Sequence, residues 1–488
     1  MLSAAATTLL LAAAPLSAAE SILGVYMFHR HGDRTPKALK PANLTDLGYQ
    51  QVYQSGQYYR SRYVASDADF KIAGLNTDIV KQTQITVTAP ADTVLQNSAT
   101  GFLQGLYPPV GSDVSVETLA NGSDVSAPLD GYQLIPVGMT STGGGSEDAG
   151  WLQDTSDCGA AETSSNNYFL SDEYTATLDS TRDFYQTLTP VVNATFDDDY
   201  VSFKNAYVVW DLINVATIHN TSIPSSTLLT NSTLHQLRTL ADAHEWGLAY
   251  NASDPMRAVA GMQLAGEVLQ YLNSTLTSSG SKKLGIQFGA YATFASFFGL
   301  AGLGDVDGAE FHGVVDYASS MAFELYTPAN GSTVKDVDEA DLYVRFVFHN
   351  GTAGAGSSEP VAYPLFGGSN SSVSWSDFVS NMQGFAIAST QQWCTKCGNS
   401  TGTCAAYADG GDGSAGGSSS GGEGKSGGGG SNGISTAVGG VIGAMVTLAV
   451  VLGLEALVMV VGGFRLARKN KKATGANGAA PAAAEAKA

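Results

Sequence analysis

Apolar residues run from Ile22 to Phe28, and this short stretch predicts a buried strand. Polar positions then take over until Thr45, which can cap a helix carrying Leu47, Val52, Gly56, Tyr59 and Tyr63 on one side. A second helix is predicted from Asp92 to Leu106, where Leu95, Ala99, Phe102 and Leu106 recur at helical spacing, and it ends at Tyr107-Pro108-Pro109. Residues 111–235 are richer in Ser, Thr, Asp and Gly and hold only short apolar stretches. Two more helices are predicted at Leu234–Leu248 and Met256–Leu272, the latter with Val259, Met262, Leu269 and Leu272 as a core stripe. Leu284–Phe288 reads as a buried strand, Ala292–Leu300 as a short helix and Met321–Tyr326 as a further strand. Leu342–Phe348 alternates like an antiparallel strand before a turn at Asn350-Gly351.

Both ends of the chain depart from this globular pattern. Residues 1–19 pair an apolar stretch with small residues at Ser17 and Ala19, which suits a signal peptide cleaved before Glu20. Residues 434–464 are long and apolar enough to cross a bilayer, with Glu455 as their single charged residue. Arg465, Arg468, Lys469, Lys471 and Lys472 follow at once, which predicts a cytoplasmic tail at 465–488 and a type I orientation in a plasma or secretory-pathway membrane. Residues 409–433 are nearly all Gly and Ser, a flexible linker between a domain at 20–408 and the membrane. Sequons at Asn43, Asn121, Asn193, Asn220, Asn231, Asn251, Asn273, Asn330, Asn350, Asn370 and Asn399 predict N-glycans on that outward-facing domain.

Among 488 residues the formal charge is −20, which excludes nucleic acid as a natural partner. The positive charge is unevenly placed. Arg30, Arg34, Lys37, Lys40, Arg60, Arg62, Lys71 and Lys81 supply a third of the 24 Lys and Arg, and no other follows until Arg182. Four cysteines, Cys158, Cys394, Cys397 and Cys404, fit two disulfides in an oxidising compartment, one joining Cys158 to the C-terminal trio and one within it. Zinc is the weaker alternative, because Cys394-X-X-Cys397 has ligand spacing but no second pair of ligands beside it.

The chemistry concentrates in Arg30-His31-Gly32-Asp33-Arg34-Thr35-Pro36, directly after the first strand. Gly32 permits a tight turn and Pro36 stiffens the exit. Two guanidiniums could grip phosphate oxygens while the imidazole attacks phosphorus. This string resembles the RHGxRxP signature of the histidine acid phosphatases, branch 2 of the histidine phosphatase superfamily. Other phrases resemble that family in order along residues 21–404: the helix LTDLGYQQVYQSGQYYRSRY, the ending Gly-Leu-Tyr-Pro-Pro, Asp316-Tyr317-Ala318-Ser319 leading into Met321–Tyr326, and Tyr363-Pro364-Leu365. The resemblance implies an α/β fold of the phosphoglycerate mutase-like kind: a central, mostly parallel sheet with helices on both faces and an inserted, mainly helical cap at roughly 111–235. It also implies a disulfide from a mid-chain cysteine to the C-terminal end, and a small phosphorylated substrate or ligand. Neither a metal nor another cofactor is implied.

Carried over to this chain, His31 would be the nucleophile, and Arg30 and Arg34 would hold the phosphate. The family site has two further parts, a third arginine before the second helix and a later His-Asp pair whose aspartate protonates the leaving alcohol. Aligning back from Tyr107-Pro108-Pro109 puts Thr88 at the arginine position, and residues 82–181 contain no Lys or Arg at all. Gly289-Ala290-Tyr291-Ala292-Thr293 stands where the pair belongs, with Tyr291 for the histidine and Ala292 for the acid. His312 and Glu245 are the candidates to fill the gap. A lost general acid removes on the order of a hundred- to ten-thousand-fold in rate, least for leaving groups that need little protonation. Two functions follow: a phosphomonoester hydrolase working through phosphohistidine at His31 with an altered acid, or a catalytically silent pseudophosphatase that binds a phosphorylated ligand or serves as a surface glycoprotein. A mutase would use the same phosphohistidine and lack the same acid.

Overall fold

Ten consecutive buried residues form the first strand, β1 (Ser21–Arg30), which extends the predicted apolar run by one residue before it and two after it. The computed structural model describes residues 20–407, apart from 141–157, 220–222, 224–226, 330 and 355. The predicted signal peptide, linker, membrane span and tail lie outside the described residues, among which no helix is long and apolar enough to cross a membrane.

After β1 come helix α1 (Asp46–Tyr59), strand β2 (Ile85–Ala89) and helix α2 (Thr93–Leu106). Thr45 caps α1 as expected, accepting from the Gly48 N–H, and Asp92 caps α2 by accepting from Val94 and Leu95. A hairpin, β3 (Val116–Thr118) and β4 (Asp124–Ser126), precedes the short strand β5 (Gly138–Met139). Helices α3 (Gly159–Asn166), α4 (Asp172–Ser180), α5 (Arg182–Val192), α6 (Ala206–His219), α7 (Asn231–Ala249) and α8 (Val259–Thr277) follow, then β6 (Leu284–Gly289) and α9 (Tyr291–Leu300). The chain finishes with β7 (Ser320–Thr327), β8 (Tyr343–His349), β9 (Val361–Tyr363), β10 (Ser372–Ser374), α10 (Trp375–Gln383) and α11 (Thr390–Cys397).

The main sheet runs β10-β8-β7-β1-β6-β2-β5, with β9 also paired to β8. Its core is the expected parallel set, β1, β6, β2 and β5, and β7, β8, β9 and β10 extend it by antiparallel pairing. The parallel strands are joined through helical segments, the crossovers that parallel pairing requires. Helices cover both faces. On one side α1 and α2 pack Tyr59, Phe102 and Leu106 onto Val25, Met27, Val87 and Ile286. On the other, Phe294 of α9 meets Phe28 of β1 at 5.2 Å. The stretch expected to be a helical cap begins otherwise than predicted, because β5 bonds to the open edge of β2 and the helices start at Gly159.

Two cystines close the C-terminal end, Cys158–Cys397 and Cys394–Cys404, in the expected arrangement. They pack with Trp393, Val259 and Met262. Asn273 is buried within α8, so that sequon is turned away from the surface.

One buried carboxylate ties the antiparallel half to the crossover. Glu324 of β7, fully buried, accepts from Arg62 at 2.7 Å, from the Tyr63 hydroxyl at 2.5 Å and from Arg345 of β8 at 2.6 Å. Arg345 also reaches Glu20 at 2.6 Å, just before β1. Removing one partner of a buried ion pair leaves uncompensated charge. Glu324→Ala is therefore expected to lower stability by about 3 kcal/mol, read from the urea midpoint; a change within experimental error would contradict the assignment.

His29 lies among rings of Phe102 and Phe288 at 5.0 and 4.9 Å, donating from Nδ1 to the Arg30 carbonyl at 2.6 Å. Its burial lowers the imidazole pKa from 6.5 to about 3. The folded chain thus keeps His29 neutral, while the unfolded chain protonates it below about pH 6.5. Between those two values the unfolded state binds the extra proton, so stability is lost as pH falls. His29→Phe should become progressively more stabilising on acidification, by about 1.4 kcal/mol per pH unit between pH 6 and 4. Urea titrations at each pH measure this, and a pH-independent difference would rule it out.

Candidate active site

The seven-residue motif begins at the C-terminal end of β1 and folds against the start of α1. A Cβ on Gly32 would stand 2.2 Å from the Gly48 carbonyl oxygen, and one on Gly48 would stand 2.0 Å from that of Asp33. Backbone meets backbone here, and only glycine fits at either position. The loop is held by Thr45, whose N–H donates to the Asp33 carbonyl at 3.1 Å and whose hydroxyl donates to Asp33 Oδ2 at 2.5 Å. Gly32 N–H donates to Ser98 of α2 at 3.2 Å.

His31 is 1% exposed, and its Nδ1 lies 2.8 Å from the Gly32 carbonyl oxygen. A carbonyl only accepts, so Nδ1 carries the proton and the lone pair belongs to Nε2. The His31 carbonyl in turn accepts from Ala318 N–H at 2.9 Å. Ala318 has φ +63°, a left-handed conformation unfavourable for a residue with a Cβ, and it follows Tyr317, whose ring lies 5.6 Å from His31.

Both motif arginines are buried. The Arg30 guanidinium stacks over Tyr317 at 4.6 Å and lies 5.4 Å from the centre of the Tyr291 ring, while Nη1 donates to the Val315 carbonyl. Its Nε and Nη2 are buried with no hydrogen-bond partner among the described residues. Arg34 is met by α6: Nη1 donates to Asp211 at 3.1 and 3.2 Å, and Nη2 to the Tyr207 hydroxyl at 3.1 Å. Asp211 also accepts from the Lys37 N–H at 2.8 Å. Sequence reasoning passed over Asp211, although a single carboxylate inside the apolar run Ala206–Ala216 was a usable signal. It also passed over His219, whose Nε2 lies 2.6 Å from Asp33 Oδ2 and links the end of α6 to the motif.

Tyr291 opens α9, next to the motif as expected. Its ring is 4.7 Å from that of Tyr207, and Lys37 Nζ lies 5.3 and 5.8 Å from the centres of the Tyr207 and Tyr291 rings. The Tyr291 hydroxyl donates to Glu245 Oε2 at 2.6 Å, and Glu245 Oε1 faces His244 Nδ1 at 2.8 Å. Ala292 carries no acid, so of the two candidates named from the sequence it is Glu245 that the fold brings to this side. His312 instead stacks on Trp246 at 4.2 Å. Thr88 lines a cavity with Tyr26, Thr86, Glu267 and Tyr271. The cavity beside the motif, of about 910 Å³, takes Val94 from the start of α2 together with Lys37, Lys40, Asp92, Phe196, Asp197, Tyr200 and Tyr207.

Among the described residues no group of three or more His, Cys, Asp or Glu is arranged to hold a metal ion. Arg30 and Arg34 share the ring of Tyr317, and Arg30 and Lys37 share that of Tyr291, so two buried guanidiniums and a lysine gather at aromatic faces next to His31, a setting that suits an oxyanion.

Comparison with known proteins shows which family the chain is similar to. A family model described as histidine phosphatase superfamily (branch 2) matches residues 38–349. Prostatic acid phosphatase of Bos taurus is 26% identical over 324 residues, covering 63% of this chain and 74% of that protein. Lysosomal acid phosphatase of Xenopus laevis is 26% identical over 341 residues, covering 66% of this chain and 70% of that one. Among solved structures, the phytase of Klebsiella sp. ASR1 has the same fold over 77% of this chain and 96% of its own, with a TM-score of 0.50 at 12% identity. With the match to the family spanning most of the chain, this protein belongs to branch 2 of the histidine phosphatase superfamily.

Proposed function

We propose that the protein hydrolyses phosphate monoesters through a phosphohistidine formed on His31. One observation carries this: the Arg30 guanidinium is buried with Nε and Nη2 unpartnered among the described residues, beside a histidine whose tautomer puts the lone pair on Nε2. A buried guanidinium is costly unless paired, so an anion belongs there. Nε2 attacks phosphorus, the bond to the leaving oxygen breaks, and water later releases phosphate from His31. Arg30, with Arg34 on the same Tyr317 ring and Lys37 on the same Tyr291 ring, offsets the charge of the transferring group.

The cavity wall supports a substrate with a single phosphate. Lys37 and Lys40 are offset there by Asp92 and Asp197, and Phe196, Tyr200 and Tyr207 supply apolar surface for an organic group. The relatives named as acid phosphatases support ester hydrolysis as the reaction class. A second reading has its own observation. Asp211 already occupies Arg34, and with Ala292 in place of an acid it favours a pseudophosphatase that holds a phosphorylated ligand without turning it over.

Phosphate release from p-nitrophenyl phosphate between about pH 3 and 7 separates the two. Active protein should lose at least about 10³-fold on His31→Ala, and acid-labile radiolabel from a labelled phosphate ester should be trapped on His31. Release no greater than in His31→Ala would leave only the binding role. Asp211→Asn is expected to weaken stability by about 3 kcal/mol, because Arg34 would lose its buried counter-charge; thermal unfolding checks this.

A further inference from the structure

Ala292 supplies no carboxylate at its position, yet Tyr291 beside it leads to one. Its ring borders Arg30, Lys37 and Tyr207. The hydroxyl at its end makes a 2.6 Å bond to Glu245 Oε2. Glu245 belongs to α7 in the helical insertion, and its side chain is 13% exposed. Its other oxygen, Oε1, accepts from His244 Nδ1 at 2.8 Å, and the His244 side chain is 6% exposed among Phe203, Tyr168 and Tyr174. With Oε1 already engaged by a donor, a proton on this carboxyl group belongs on Oε2, the oxygen facing Tyr291.

We propose that Tyr291 is the catalytic proton donor of this site and that Glu245 recharges it. This rests on the phosphohistidine reading of His31. In the first step Nε2 of His31 bonds to phosphorus and the bond from phosphorus to the leaving oxygen breaks. The leaving oxygen takes the Tyr291 hydroxyl proton, and Tyr291 takes the proton from Glu245 Oε2. The products are the free alcohol, phosphohistidine, a neutral Tyr291 and a Glu245 carboxylate, which is the arrangement in which Tyr291 donates to Glu245. In the second step water attacks phosphorus, its proton passes through Tyr291 to Glu245, and phosphate leaves His31. Protons balance over the cycle without another reactant.

A tyrosine hydroxyl is a poorer acid than a carboxyl group, so the relay discriminates among leaving groups. Esters of phenols leave with little help, and esters of aliphatic alcohols need the proton. Glu245 acts through Tyr291 and is a positioning residue here.

The full-length protein with p-nitrophenyl phosphate and glycerol 2-phosphate tests this. Tyr291→Phe keeps the ring on Tyr207 and removes the proton; kcat should fall about a hundred-fold for glycerol 2-phosphate and less than about ten-fold for p-nitrophenyl phosphate. Glu245→Gln should show the same selective loss, and Glu245→Asp should recover part of it. The unaltered protein should show a solvent deuterium isotope effect on glycerol 2-phosphate that p-nitrophenyl phosphate lacks, a readout independent of how the variants fold. Equal losses on both substrates, or none, overturn the relay while leaving His31 as nucleophile. Absence of His31-dependent turnover of p-nitrophenyl phosphate overturns the phosphohistidine reading and the relay with it.

Discussion

The parallel pairing of β1 with β6 is the constraint on which the site depends. Its register sets Arg30 opposite Gly289, so His31 and Ala290 leave the sheet side by side at the same edge. Parallel neighbours share the edge at which their C-terminal ends emerge, and ligands of open α/β sheets bind there. Everything with chemical potential follows from that adjacency. The motif loop turns back onto α1, α9 starts beside it with Tyr291, and the loop through Tyr317 and Ala318 closes the floor from β7. The antiparallel half contributes no reacting group; through Glu324 and its two arginines it holds the strand that carries the motif.

Positive charge in this setting is expensive, and the protein resolves it unequally. Arg34 is matched within the fold by Asp211, which fixes α6 against the motif. Arg30 leans on aromatic faces, and two of its donors have no partner among the described residues. The same helix also reaches the motif through His219 and Asp33, so the insertion between β5 and β6 is fastened to the motif loop by two carboxylates at separate points. A cavity whose roof is attached in this way is bounded by groups that belong to the site itself.

Most of the framework was legible because buried strands and capped helices leave periodic marks. Ile22–Phe28, Leu284–Phe288 and Met321–Tyr326 each proved to be a sheet strand, and Thr45 and Asp92 start the helices they were expected to start. The segment from 111 to 235 was opaque for a physical reason: β5 is two residues long and owes its place to the bare edge of β2, which no local pattern encodes. The motif was legible as a family signature through residue types alone. Its partners were less plain: Glu245 was named beside His312 with nothing in the sequence to choose between them, and Asp211 acquires meaning only from contacts made across a long stretch of chain. Thr88 illustrates the converse. Counting back from a Pro-Pro ending located the strand, but it could not say that Thr88 lines a cavity with Tyr26 and Tyr271 while Val94 lines the one beside the motif.

The cystines give the molecule a mechanical shortcut. Cys404 is joined to Cys394, three residues from Cys397, and Cys397 is joined to Cys158 across 239 positions of sequence. A pull transmitted along the chain from beyond Cys404 passes through these bonds to Cys158 without loading the backbone between Gly159 and Trp393. Asp211, Glu245 and Tyr291 all lie within that sheltered stretch, whereas Arg30, His31 and Arg34 lie outside it. Tension along the polypeptide would reach these two groups of residues by different routes, and only the motif stands in its direct line.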